Sequence, residues 1–90
     1  MIQMQGDQAE IWSQGRKLGV LRHWRLRAEN RDSFRLSGGI DTVPPQPRSI
    51  GPPLEVRIRF GPGVLIAPVQ QVGAGQYQGM AAPIVYKGTV

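Results

Sequence analysis

Apolar residues recur along this chain with a period of two, in short runs separated by glycine- and proline-rich stretches. That spacing sends one set of side chains into a core and the other toward solvent, which is the pattern of a half-buried strand. The cleanest case is Leu54–Phe60, where Leu54, Val56, Ile58 and Phe60 predict a core face and Glu55, Arg57 and Arg59 the opposite face. Ala9-Glu10-Ile11-Trp12 predicts a short strand, followed by a glycine-containing turn at Ser13–Lys17. Leu18–Ala28 predicts a long strand in which Leu18, Val20, Trp24, Leu26 and Ala28 share one parity. The alternation breaks at Leu21 and Arg22, as it does at a β-bulge. Leu18, Leu21, Arg25 and Ala28 also fit a helical spacing, but Gly19 and Trp24 suit a helix poorly. After a turn at Asn30–Ser33, Phe34 and Leu36 alternate with Arg35 and Ser37, and Gly38-Gly39 ends the run. Residues 9–37 therefore read as a three-stranded antiparallel meander, preceded by an N-terminal arm over residues 1–8.

The segment from Asp41 to Pro53 holds five of the eight prolines in 13 residues. Proline fixes its own φ and donates nothing to a ladder, so this segment predicts an extended loop. It is either a crossover between two halves of a sheet or an arm that lies on a neighbouring subunit. In the second case Val43, Arg48 and Ile50 are its contact residues. Beyond Leu54–Phe60 and a tight turn at Gly61-Pro62-Gly63, the run Val64–Val69 is apolar on both parities, as in a strand covered on both faces. Pro68 predicts an edge strand or a bulge there. Val64, Leu65, Ile66 and Val69 join the candidate assembly interface. Gly73-Ala74-Gly75 turns the chain again, and Gln76–Met80 and Pro83–Val90 predict one interrupted strand or two short ones. No internal sequence repeat is present. Residues 1–90 form a single all-β domain, a small antiparallel β-sandwich or barrel with a long Pro-rich loop.

A chain of 90 residues builds only a modest core, and domains of this size commonly add disulfides, a metal or a partner subunit. Cysteine is absent and His23 is the only histidine, which removes disulfides and leaves little for zinc to bind. Association with copies of itself is the remaining common route. The opening MIQMQGDQAEIW has no basic segment followed by an apolar run, and no stretch reaches the roughly 20 apolar residues of a membrane span. The expectation is a soluble protein synthesised in a cytoplasm, without membrane contact.

The net charge is +5, and almost all the positive charge is arginine. Arg25 and Arg27 lie two apart, as do Arg57 and Arg59, so each pair lies on one strand face and the four form a candidate basic face. Three readings stay open: nucleic-acid contact, ion pairing with acids of a partner protein, and a solvated basic surface. Trp24 and Phe60 fall on the opposite parity, so the arginines lack the aromatic platform on which unpaired bases stack.

The residues that could carry catalysis do not converge. His23 sits between Arg22 and Trp24 in a predicted strand, where a surface or packed histidine accounts for it. Of Asp7, Glu10, Glu29, Asp32, Asp41 and Glu55, most fall in predicted turns or on an arginine-bearing strand face, where salt bridges account for them. The glycine-rich pieces lack the strand–loop–helix setting and the Lys-Ser/Thr ending of a phosphate loop. No catalytic, cofactor or metal residue is expected.

The stretch from Ile11 to Ile40 resembles the opening of tailed-phage tail tube subunits. A turn with Gly15 is followed by the apolar–glycine pair Leu18-Gly19, then by a strand carrying Val20, Trp24 and Leu26. Gly75-Gln76-Tyr77-Gln78-Gly79 and Val85-Tyr86-Lys87-Gly88 are similar to the closing strands of such folds. The resemblance implies a non-enzymatic virion structural subunit, in a tail tube, connector or related component, synthesised in a host cytoplasm. It would act by homo-oligomeric assembly with contacts to other virion proteins, its sheets joining those of neighbours. The alternative is a small basic β-barrel that binds nucleic acid through backbone contacts.

Overall fold

The computed structural model describes residues 2–30, 33–45 and 53–87. Among these residues are eight strands and no helix: β1 Ile2–Ser13, β2 Arg16–Ala28, β3 Phe34–Ser37, β4 Ile40–Asp41, β5 Leu54–Phe60, β6 Gly63–Gly73, β7 Gln76–Gly79 and β8 Ile84–Lys87. All pairings are antiparallel. Six strands run in the order β1-β5-β6-β7-β3-β2, and β2 pairs back onto β1 to close a barrel. The meander predicted over residues 9–37 is β1-β2-β3, with β1 extending back to Ile2, so the segment read as an arm is the first half of a strand.

The topology repeats although the sequence does not. β2 pairs with β1 on one side and with β3 and β4 on the other; β6 pairs with β5 on one side and with β7 and β8 on the other. Each central strand thus meets two short strands end to end. The halves join through β1–β5 and β3–β7. Two-residue turns set the two long hairpins. Gln14 and Gly15 both have positive φ, 51° and 76°, the signature of a type I′ turn. In the other hairpin Gly61 has φ 50° and is followed by Pro62.

The inward parity supplies the core: Ile11, Leu21, Trp24, Leu26, Phe34, Leu36, Leu54, Val56, Ile58, Leu65, Val69 and Tyr77, with Val43 from the segment after β4. Each fully buried aliphatic among them contributes roughly 1.5–3 kcal/mol before ordering costs. The predicted break in β2 falls at Arg22–His23, where His23 has φ 53°. β1 breaks alternation opposite it, so Gly6 and Ala9 both face inward and the register of the pair is unchanged across the break. Upstream of the break Leu21, rather than Val20, faces the core. Trp24 lies directly across from Gly6, and a Cβ at Gly6 would sit 2.7 Å from the indole. The ring therefore covers bare backbone, and its Nε1 is buried without a hydrogen-bond partner among the described residues.

Pro68 occupies a central strand rather than an edge. Its carbonyl accepts from the Met80 N–H at 2.9 Å, so its nitrogen faces the same side, in the gap between β7 and β8 where no ladder donor is needed. Phe60, expected in the core, is 41% exposed. β5 leaves β1 after Arg57, so the end of β5 projects past the barrel wall.

Candidate functional site

The loop predicted from Asp41 is structured at its start. Thr42 Oγ1 accepts from the Val20 N–H at 2.8 Å, and the Thr42 N–H donates to the Val20 carbonyl at 3.0 Å. A Cβ at Gly19 would stand 2.8 Å from Thr42 Oγ1 and 2.9 Å from Val43 N, so only glycine admits this crossing. Asp41 Oδ1 accepts from the Val43 N–H at 2.9 Å. Its Oδ2 accepts from the Gly75 N–H at 2.9 Å and from the Tyr77 hydroxyl at 2.8 Å. One carboxylate therefore ties β4 to the β6–β7 turn. Burial, and then the hydrogen bond to Asp41, raise the Tyr77 hydroxyl well above the ordinary tyrosine pKa. This cluster is a structural clasp: its polar atoms face one another.

Of the candidate assembly residues, Val43, Leu65 and Val69 belong to the chain's own core, where no partner can reach them. In the run Val64–Val69 the odd positions fill the barrel, and Val64 and Ile66 lie half-buried on its outer side. Arg48 and Ile50 lie outside the described residues. Exposed apolar side chains instead include three consecutive residues of β8, Ile84, Val85 and Tyr86, at 55%, 50% and 51%, with Ile2, Ile40, Val72 and Met80 exposed elsewhere. Phe60 lies beside β8; a Cβ at Gly63 would be 3.1 Å from both the Phe60 ring and the Tyr86 carbonyl.

The four arginines of the candidate basic face separate into two settings. Arg57 and Arg59 stand in a charged network. Arg57 Nε donates to Glu55 Oε2 at 2.7 Å, with its guanidinium 4.0 Å from the centre of the Trp12 ring. Arg59 lies 3.8 Å from Glu10, which also takes Lys17 at 3.7 Å and accepts from Trp12 Nε1 at 3.0 Å. Arg25 and Arg27 lie elsewhere, on the outer face of the sheet β1-β2-β3-β7. Directly paired residues share a face, so the register writes this surface row by row. One row is Gln3, Arg27, Arg35 and Gln78; the next is Gln5, Arg25, Ser37 and Gln76. The row between, Met4, Leu26, Leu36 and Tyr77, forms the floor, its last three side chains pointing into the core. Together they line a groove of about 820 Å³. Its lining among the described residues includes no carboxylate. Arg35 and the glutamines were missed from the sequence, although the short β2–β3 turn that sets Ala28 opposite Phe34 also sets Arg27 opposite Arg35.

Among the described residues no three His, Cys, Asp or Glu side chains gather as metal ligands would. Fold and surface define a small closed β-barrel with extra edge strands, an arginine–glutamine groove and an apolar open edge. No protein-family model, curated protein or solved structure matches the chain.

Proposed function

We propose that this chain is a non-enzymatic structural subunit that works by joining copies of itself edge to edge, as in a phage tail tube, connector or related virion component. The observation that carries this reading is β8. Among the described residues it pairs with β6 alone, so its outer edge offers free backbone donors and acceptors, flanked by exposed Ile84, Val85 and Tyr86. Uncovered apolar edges of this kind are templates for pairing with another chain. A second edge is open at the other end of the topology. β1 pairs with β5 only from Glu10 onward, and among the described residues no strand joins that side of β1 before Glu10, where Ile2 and Met4 are exposed.

Two unlike edges join head to tail, and head-to-tail contacts generate rings or filaments. That geometry suits the tube-like setting implied by the resemblance of Ile11–Ile40 and the closing strands to tail tube subunits. Light scattering over a wide protein concentration range tests the proposal. The unaltered chain is expected to form an oligomer, and Val85→Lys is expected to shift it to monomer while the barrel stays folded. A strictly monomeric wild-type chain at low and high salt would refute it.

A further inference from the structure

We infer that the groove across β1, β2, β3 and β7 holds an extended acidic segment of a different protein, with carboxylates two residues apart. Arg25 and Arg35 line this groove with no hydrogen-bonding or ionic partner among the described residues, whereas Arg27 and Gln3 are already engaged in contacts of their own. By contrast Arg57, Arg59 and Lys17 are matched to Glu10 and Glu55. Arg25 pairs across from Ser37, and Arg35 lies two residues along β3, so the two arginines are diagonal neighbours on one face. Diagonal neighbours stand about 7–8 Å apart, close to the roughly 6.7 Å between same-face side chains of an extended chain. Two carboxylates at positions i and i+2 of a strand therefore meet both guanidinium groups, each of which presents a planar fork that matches a carboxylate.

The rest of the lining narrows the partner. Met4 and Val72 line the groove and are 36% and 47% exposed. Val72 falls in the register shift between Gln71 and Gly73, at the β6 margin of the groove and two strands beyond Arg35. That is about 10 Å across the sheet, within reach of an apolar side chain at the next same-face position of the segment. Arginine beside methionine and an apolar contact is the composition of a protein interface, and a phosphate backbone offers Val72 nothing apolar. Gln5, Gln76 and Gln78 carry amides that both donate and accept, as an extended peptide backbone does, whereas a phosphate oxygen only accepts. A second copy of this chain cannot supply the segment. Its acids stand at positions 7, 10, 29, 32, 41 and 55, no two of them two apart. Of these, Glu10 and Glu55 take the chain's own cations, and Asp41 is held in the clasp.

Fluorescence anisotropy at about 50 mM salt, with the labelled and capped peptide Ser-Leu-Thr-Glu-Thr-Glu-Thr-Leu-Ser, tests the inference. The wild-type chain should bind it, and replacing both glutamates of the peptide by glutamine should weaken binding roughly tenfold. Moving one glutamate to the adjacent position turns its carboxylate to the other face and should weaken binding roughly threefold. Arg25→Gln/Arg35→Gln should also cost roughly tenfold, and Val72→Ser roughly threefold. Arg57→Ala/Arg59→Ala should leave the affinity unchanged. Val85→Lys, altered at the assembly edge, should bind the peptide as the wild type does, which separates this test from that of assembly. Thermal unfolding of each variant confirms that the barrel is intact. The inference is overturned if the wild-type chain fails to bind the peptide, if the two double variants lose equally, or if the peptide with adjacent glutamates binds as tightly. It is equally overturned if a short duplex DNA displaces the labelled peptide at lower concentration than the unlabelled peptide does, or if Val85→Lys abolishes binding.

Discussion

Replacing Tyr77 by Phe isolates the clasp that closes the barrel end. The ring is 1% exposed, so phenylalanine keeps its burial and leaves a void no larger than one oxygen. What is lost is the hydroxyl's 2.8 Å bond to Asp41, together with the longer 3.4 Å contact from Gln71 Nε2. A hydrogen bond to a charged acceptor contributes about 1.5–3 kcal/mol. Asp41 retains two backbone N–H donors, from Val43 and Gly75, so the loss falls toward the lower part of that range. We expect about 2 kcal/mol, or a melting temperature lower by on the order of 10 °C for a domain of this size. The pH dependence follows from the raised hydroxyl pKa. The unfolded chain releases this proton near pH 10 while the folded chain still holds it. The contribution of Tyr77 is therefore complete below about pH 10 and is lost as pH rises beyond it. Wild-type stability should decline in that range up to about 1.4 kcal/mol per pH unit more steeply than that of Tyr77→Phe, so the gap between the two proteins narrows. Thermal melts and urea unfolding at one fixed protein concentration, at about pH 8 and again above pH 10, read both effects. A melting temperature within about 2 °C of wild type, or a gap that widens at alkaline pH, would refute the reasoning.

Two further substitutions probe other joints. Gly19→Val should cost about 2–3 kcal/mol in chemical unfolding, because its side chain would displace Thr42 and the Val43 backbone and loosen β4 from β2. Arg57→Ala should cost no more than about 1 kcal/mol by the same measurement, since its partner Glu55 is 37% exposed and the stacking on Trp12 is at the surface.

Local patterning made much of the architecture legible. Strict alternation marks β5, the Gly15 turn marks the first hairpin, and the broken parity of Leu18–Ala28 marks the break near His23, although the register is kept there and the shift in the β1–β2 ladder lies at Ile11/Trp12 instead. Closure is different. β1–β5 and β3–β7 join segments far apart in sequence, and no periodicity names a strand's partner. Ile2–Gln8 escaped notice as a strand because its inward positions at the barrel end are Met4 and Gly6, the latter covered by Trp24 from across the pair. The run Val64–Val69 suggested an interface because both parities are apolar, yet half of it is ordinary barrel interior. The groove was half visible: Arg25 and Arg27 announce themselves by spacing, whereas Arg35 acquires meaning only from the strand beside it.

Residue-resolved hydrogen exchange at low and high protein concentration tests edge-to-edge assembly most directly. Amides of Ile84–Lys87 and Ile2–Gln8 that face open edges should exchange freely in dilute protein. At about 100 times the dissociation constant, their protection should rise about 100-fold, while amides within β6 between Leu65 and Val69 stay unchanged. An oligomer that forms with both edges exchanging as in the monomer would contradict the account.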